Sequence, residues 1–351
     1  MSKATVRRMA VIGAGGMARV RTKALLATGR VTLCGVAARR QASAERFGAE
    51  FGCQTCTADY SALLAAEPEA VLIEVPHGVQ DEIVLWALDH GLHVLVGGVP
   101  ATTVAAAETI HDRSRQRRLV VESGYQARYD AMWRAAKTFV DQGRLGRPVA
   151  ARSIALWPGD PASWYYDEEA SRGMPLTHMT YCFINPVRWI LGRPAKVSAF
   201  ANRVKETAPG MLREETCIAN LLFENDVLYS AMAGFVCPQR LPAWKVTLIG
   251  TEAALEVMPS ETSAETMTIY GPAGAETASF GTHEPAFRAQ AEAFLDAVAA
   301  ARESPRGDEP GPAGQNHPPC GCLNSPQEGL WDVRVAAAIV TSVREGRTVT
   351  L

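Results

Sequence analysis

Residues 11–19 read VIGAGGMAR, a short apolar run closed by the spacing Gly13-x-Gly15-x-x-Ala18. A strand that ends in this spacing and opens into a helix is the fingerprint of a dinucleotide-binding βαβ unit. Gly13 permits the tight turn out of the strand, and Gly15, without a Cβ, lets the backbone approach a pyrophosphate. Ala18 lets the new helix pack closely on the sheet. The phosphates then rest on free N–H groups around Gly16 and Met17, where aligned peptide dipoles favour negative charge. An ordinary glycine-rich turn has the same spacing, so the rest of the chain must supply the context.

With 351 residues the chain is long enough for two domains and a large core. Hydrophobic residues make up 47% and charged residues 21%, the balance of an ordinary water-soluble protein. A formal net charge of −2 gives no electrostatic reason to expect nucleic acid or a membrane surface as partner. No apolar run reaches bilayer length and no signal-peptide core precedes the first strand, so a cytoplasmic protein is expected. Of the eight cysteines, Cys34, Cys182, Cys217 and Cys237 sit alone in apolar contexts and read as buried free thiols. Cys53-x-x-Cys56 and Cys320-x-Cys322 each lack a partner pair at a zinc-site spacing, so no metal is expected.

Strands are expected over 5–12 and 31–37 with a helix over 17–28 between them. A helix over 42–51 and strands over 70–75, 93–96 and 119–121 follow, with helices over 79–90 and 104–117. Alternating β and α elements with short connections indicate a doubly wound parallel sheet, whose ligands lie at the carboxyl ends of the strands. That edge collects Gly13–Met17, Ala38–Arg40, Val75–His77, Gly97–Pro100 and Gly124–Tyr125. After the second strand, Ala38-Arg39-Arg40 offers no acid for the two adenosine ribose hydroxyls of NAD. Its two arginines suit the 2′-phosphate of NADP, with NAD as the other possibility.

Beyond residue 123 the pattern becomes a helix over 129–142, a run of strands separated by turns, and a helix over 176–191. This reads as an α+β domain with a large, mostly antiparallel open sheet, spanning 124–351 after a Rossmann domain over 1–123. Helices over 287–301 and 331–345 flank a Pro- and Gly-rich stretch, Glu303–Gln327, expected to be a mobile surface loop.

VIGAGGMAR, ALDHGLHVLV followed by Pro100, the Gly124–Pro148 stretch and SRGMPLTHMTYCFINPVRWILG, in this order, resemble the Gfo/Idh/MocA oxidoreductases along nearly the whole chain. The resemblance implies hydride transfer between NAD(P) and a hydroxyl or carbonyl carbon of a sugar, cyclitol or related small molecule. It also implies a homo-dimer or homo-tetramer packed through the open sheet. Pro76, His77, Gly98 and Pro100 would then line the cofactor cleft. Departures are as informative. Relatives carry Glu-Lys-Pro after the fourth strand, where this chain has Gly98-Val99-Pro100 and therefore no lysine to handle the substrate proton. The family's aspartate and histidine fall on His178 and Cys182, and a further aspartate on Asn185.

A hydroxyl–carbonyl reaction needs a positioned proton carrier. His178 is the leading candidate, with Tyr181 and Cys182 at i+3 and i+4 on the same helical face, and Tyr125 just past the fifth strand. Each also has a packing reading: a core histidine, a small buried hydrophobe, tyrosines with tethered hydroxyls. Trp164-Tyr165-Tyr166-Asp167 reads as a substrate-side loop or as an aromatic cap over the sheet. The expected function is NAD(P)-dependent reduction of a carbonyl or imine, or oxidation of a hydroxyl, with an unusual proton relay. A lyase, epimerase or hydrolase on the same scaffold, and a non-catalytic nucleotide-binding subunit, are the alternatives.

Overall fold

Strand β1 (Arg7–Ile12) is buried at all but one position and lies at the centre of a parallel sheet. The computed structural model describes residues 7–160, 162–202, 215–237, 244–260, 263–303 and 321–351. With β2 (Val31–Ala37), β3 (Cys56–Thr57), β4 (Ala70–Ile73), β5 (His93–Val96) and β6 (Val121–Ser123), the sheet has the order β3-β2-β1-β4-β5-β6. The strand order reverses beside β1, which opens a crevice at the carboxyl ends of β1 and β4. Helices α1 (Gly16–Ala27), α2 (Gln41–Phe51), α3 (Gln80–Asp89) and α4 (Val104–Arg117) connect the strands. Short runs buried on both faces, such as Ala70–Ile73 at 0–1% exposure, are what a helix-covered parallel strand requires.

The chain divides into two units. One contains Met1–Ala101, Ala105–Gly124 and Phe287–Leu330; the other contains Thr102–Val104, Tyr125–Ala286 and Trp331–Leu351. The second begins with α5 (Ala131–Asp141), whose first turn is capped by the Asp130 carboxylate accepting from the Met132 and Trp133 amides. Then come β7 (Pro148–Leu156), the short α6 (Glu168–Ser171), a π-helix over Pro175–Ile184 and α7 (Asn185–Leu191). Strands β8 (Pro194–Asn202), β9 (Thr216–Phe223), β10 (Leu228–Gly234), β11 (Trp244–Gly250), β12 (Ala254–Met258), β13 (Thr266–Gly271) and β14 (Gly274–Ser279) follow. Helices α8 (Glu284–Glu303) and α9 (Pro326–Glu345) precede the last strand, β15 (Val349–Thr350). The second sheet runs β14-β13-β12-β11-β7-β10-β9-β8-β15 and is antiparallel except where β7 meets β10. Its inner face (Ala199, Ala219, Leu221, Tyr229, Ala231, Val246, Leu248) is buried in one core with α5, α7 and the π-helix.

Three expectations need correction. Helix α8 does not stay with the second unit. Ala291, Phe294, Leu295 and Val298 bury their side chains in the core of the first, against Met9, Val11 and Leu72. The Glu303–Gln327 stretch is not a loop throughout. Its part over 304–320, with His317 and Cys320, lies outside the described residues, but Cys322 and Asn324 are buried and α9 has begun by Pro326. Asn324 satisfies its polar groups on Glu122, donating from its side-chain amide at 3.0 Å. The single helix expected over 176–191 is wound as π for ten residues before turning α at Asn185. Pro186 has no N–H for the carbonyls one turn back, which interrupts the ladder near that junction, and the Thr180 hydroxyl donates to the Pro175 carbonyl at 3.1 Å. No described helix is long and apolar enough to cross a membrane.

Candidate active site

The turn after β1 is built as the motif requires. Gly13 has φ +112°, and a Cβ there would overlap the Glu74 carbonyl. Any other residue is excluded twice, by backbone conformation and by space. Gly15 caps α1 without a side-chain bond, and a Cβ on Gly15 or Gly16 would meet nothing within 4 Å. Gly15, Gly16 and Met17 are exposed while Ala18 is fully buried on the sheet. Open space at the N-terminus of a helix whose first N–H groups have no side-chain cap is the cradle a pyrophosphate needs. Sequence reasoning missed the brace on this turn. Arg19 folds back to donate to the Ala14 carbonyl at 2.6 Å and is itself held by Glu50 at 2.7 Å.

Along the same edge, Ala38 is half-buried and Arg39 and Arg40 are exposed where β2 gives way to α2. Pro76 caps a short 3-10 turn, His77–Val79, and His77 is buried. Its ring stands over Gly98 (φ +67°): a Cβ on Gly98 would lie 3.2 Å from Nε2 of His77. Gln80, another residue the sequence did not flag, donates from its amide to the carbonyls of Gly97 and, at 2.7 Å, Val99. Pro100 is buried; a Cβ on Gly329 would press on its ring at 2.8 Å. Beneath the edge lies a buried polar chain. Arg21 pairs with Glu74 at 2.6 Å and donates to Gln290 at 2.6 Å, and Gln290 donates to Glu122 at 3.1 Å. Burial pushes the Glu74 carboxyl above its ordinary range, and the Arg21 guanidinium opposes that rise.

The four proton-carrier candidates lie in the second unit, but not on one face. About 4.4 residues per π turn keep i and i+4 adjacent and swing i+3 aside. His178 and Cys182 stay together, Nδ1 to Sγ 3.6 Å. Tyr181 turns away and exchanges hydrogen bonds with the Gln126 side chain at 2.9 and 3.2 Å. His178 is 1% exposed, boxed by Trp157, Phe235 and Trp244 with ring centroids 5.4, 5.3 and 5.9 Å away. Burial lowers its pKa to about 4, so the imidazole is neutral at pH 7. Tyr125 is 1% exposed, and burial drives its phenol far above the usual value. Cys182 is buried at 6% exposure, and Tyr181 alone of the four is half-buried. Asn185 is structural: it accepts from Arg128 at 3.0 Å and donates to Asp332 at 2.7 Å.

Cys53 and Cys56 are free thiols turned onto neighbouring backbone carbonyls, and burial raises both pKa values. Trp164 and Tyr165 form a half-exposed cluster with Trp157, centroids 4.4 and 5.9 Å apart.

Two family descriptions match this architecture in order. "Oxidoreductase family, NAD-binding Rossmann fold" covers residues 7–125, and "GFO/IDH/MocA C-terminal domain" covers residues 133–256. The chain belongs to the Gfo/Idh/MocA family. An inositol 2-dehydrogenase of Streptomyces avermitilis is 29% identical over 194 residues, 53% of each chain. This Gfo/Idh/MocA chain thus spans about half the length of the curated relatives it matches. Its fold is also that of an oxidoreductase from Agrobacterium radiobacter solved with NAD+, L-tartaric acid and magnesium (TM-score 0.82, 16% identity, 99% and 98% of the two chains). A 3-ketoreductase from Actinomadura kijaniata, solved with NADP and TDP-benzene, matches at TM-score 0.81 and 21% identity over 97% and 98%. The residues around Gly13–Ala18 fit a nicotinamide dinucleotide by the open cradle described above.

Proposed function

We propose that this Gfo/Idh/MocA chain is an NAD(P)-dependent oxidoreductase acting on a carbonyl, imine or hydroxyl carbon of a sugar, cyclitol or other small metabolite. The observation that carries the reading is the open, uncapped glycine turn at the carboxyl edge of the parallel sheet. Gly15, Gly16 and Met17 hold the diphosphate, and exposed Arg39 and Arg40 favour the additional phosphate of NADP. When bound, the coenzyme supplies or accepts hydride.

The chain itself must handle the proton, and it does so without lysine. Tyr181 is the group we assign, because the residue is half-buried and its hydroxyl is already held by Gln126. The Gln126 amide N–H donates to the Tyr181 oxygen, and when substrate binds the phenol turns its one proton from the Gln126 carbonyl to a developing alkoxide or amide nitrogen. His178, neutral and enclosed, orients Cys182 and fills the aromatic box; its low pKa makes it a poor acid at pH 7. An imine substrate suits this site, since its nitrogen can arrive already protonated.

The outer face of the second sheet supports self-association. Phe200 (71% exposed) pairs across strands with Ile218, and Leu228 (60%) with Leu222, on the side opposite the core. A homo-dimer or homo-tetramer through this face would bury that apolar surface. Light scattering that finds a monomer would contradict it.

The function is tested by following NADPH and NADH consumption with panels of ketones, aldehydes and cyclic imines. Turnover of a member with Tyr181→Phe reduced roughly 100-fold at unchanged coenzyme affinity is the expected outcome. Coenzyme binding with no turnover on any panel would favour a lyase or a non-catalytic subunit.

A further inference from the structure

Glu74 stands one residue beyond β4, and its side chain occupies space that belongs to another position. A Cβ on Gly97, at the end of β5, would have three nearest neighbours, all in the Glu74 carboxylate, with the carboxyl carbon 2.5 Å away. Gly97 is absent from the positive-φ glycines, so its backbone conformation would accept a side chain, and the Glu74 carboxylate fills the space that side chain would enter. The carboxylate is half of a buried ion pair with Arg21 of α1, at 11% and 3% side-chain exposure. Arg21 also donates to the Gly124 carbonyl, and the Gly124 amide donates to the Gly98 carbonyl at 3.1 Å. At its backbone, Glu74 donates to the Ile12 carbonyl at 2.8 Å, and its own carbonyl closes the space behind Gly13. One residue therefore braces the β1 turn, the β5 end and, through Arg21, the β6 end.

We propose that Glu74 is a positioning residue for the coenzyme: its carboxylate, fixed by Arg21, acts in place of a side chain on Gly97 and holds the Gly13 turn and Gly97–Gly98 in register. The proposal rests on the dinucleotide-binding reading above. It implies that the carboxylate can be delivered from either strand. Glutamate is the right length at position 97, because its carboxyl carbon lies two bonds, about 2.5 Å, from its own Cβ, the separation found between that Cβ and the present carboxyl carbon.

The test is NADPH affinity, by fluorescence titration, for wild type, Glu74→Ala, Gly97→Glu and the double variant, with melting temperatures for each. Glu74→Ala empties the site and Gly97→Glu places two carboxylates in it. Each single change is expected to weaken NADPH at least about tenfold, and the double variant to return within about threefold of wild type. Glu74→Gln, which keeps the shape but not the charge, is expected to show a smaller loss of NADPH affinity than Glu74→Ala. A double variant no better than the weaker single overturns the proposal. So does a Glu74→Ala that melts earlier yet binds NADPH as wild type does, since the pair is then a stability feature alone. If wild type binds neither NADPH nor NADH, the dinucleotide reading itself falls, an outcome distinct from the other two.

Discussion

The Cys182 thiol lies 3.6 Å from Nδ1 of His178, four residues earlier on the π-helix, inside a box of three aromatic rings. A charged imidazolium has almost no solvent there. The folded pKa is about 4 against an ordinary 6.5, so the unfolded chain binds the proton more readily. Stability is therefore complete above pH 6.5 and is lost as pH falls towards 4, by on the order of 3 kcal/mol from this group. Melting temperature between pH 7 and 4 should fall steeply in wild type and less in His178→Phe. Parallel curves would remove His178 as the cause.

Glu265 has the opposite sign. Burial, and then the Asp130 carboxylate beside it, raise its pKa to about 8 in the fold. Because the folded chain holds this proton more tightly, the contribution is full below pH 4.5 and declines as pH rises to about 8. Asp130 caps α5, so the repulsion reaches the first turn of that helix. Glu265→Gln, which keeps the donor but cannot ionise, should gain melting temperature over wild type at pH 8 and gain little at pH 5. An equal effect at both pH values would contradict the assignment.

Arg39 and Arg40 are exposed at the end of β2, on the edge that carries the glycine turn. A charge-assisted bond to the 2′-phosphate is worth about 1.5–3 kcal/mol, so Arg39→Ala should weaken NADPH roughly tenfold to a hundredfold and NADH hardly at all. Equal losses for both coenzymes, measured by titration, would refute the NADP preference.

The Rossmann half is legible because its signals are local: Gly13, Gly15 and Ala18 each have one physical reason to be where they are. The fate of α8 is not legible, since Ala291, Phe294 and Leu295 form an apolar stripe that would suit either unit. The buried polar chain through Gln290, Arg21 and Glu122, with the ion pairs Arg30–Asp296 and Arg302–Glu69, ties α8 to the first unit, and those residues are far apart in sequence. The π winding over 175–184 also escapes a periodicity reading. It replaces a shared face for His178, Tyr181 and Cys182 with two separate environments. Gln80 and Arg19 carry no motif and are recognisable only by the carbonyls they hold.

The most direct measurement is NADPH and NADH titration of wild type beside Gly15→Val. A Cβ at Gly15 meets nothing within 4 Å, and its φ of −80° suits any residue, so the variant should fold and melt as wild type does. Its branched side chain would nevertheless stand where the diphosphate has to dock. Binding by wild type that is lost in Gly15→Val, at an unchanged melting temperature, is the predicted result. Equal binding by both proteins, or by neither, would contradict it.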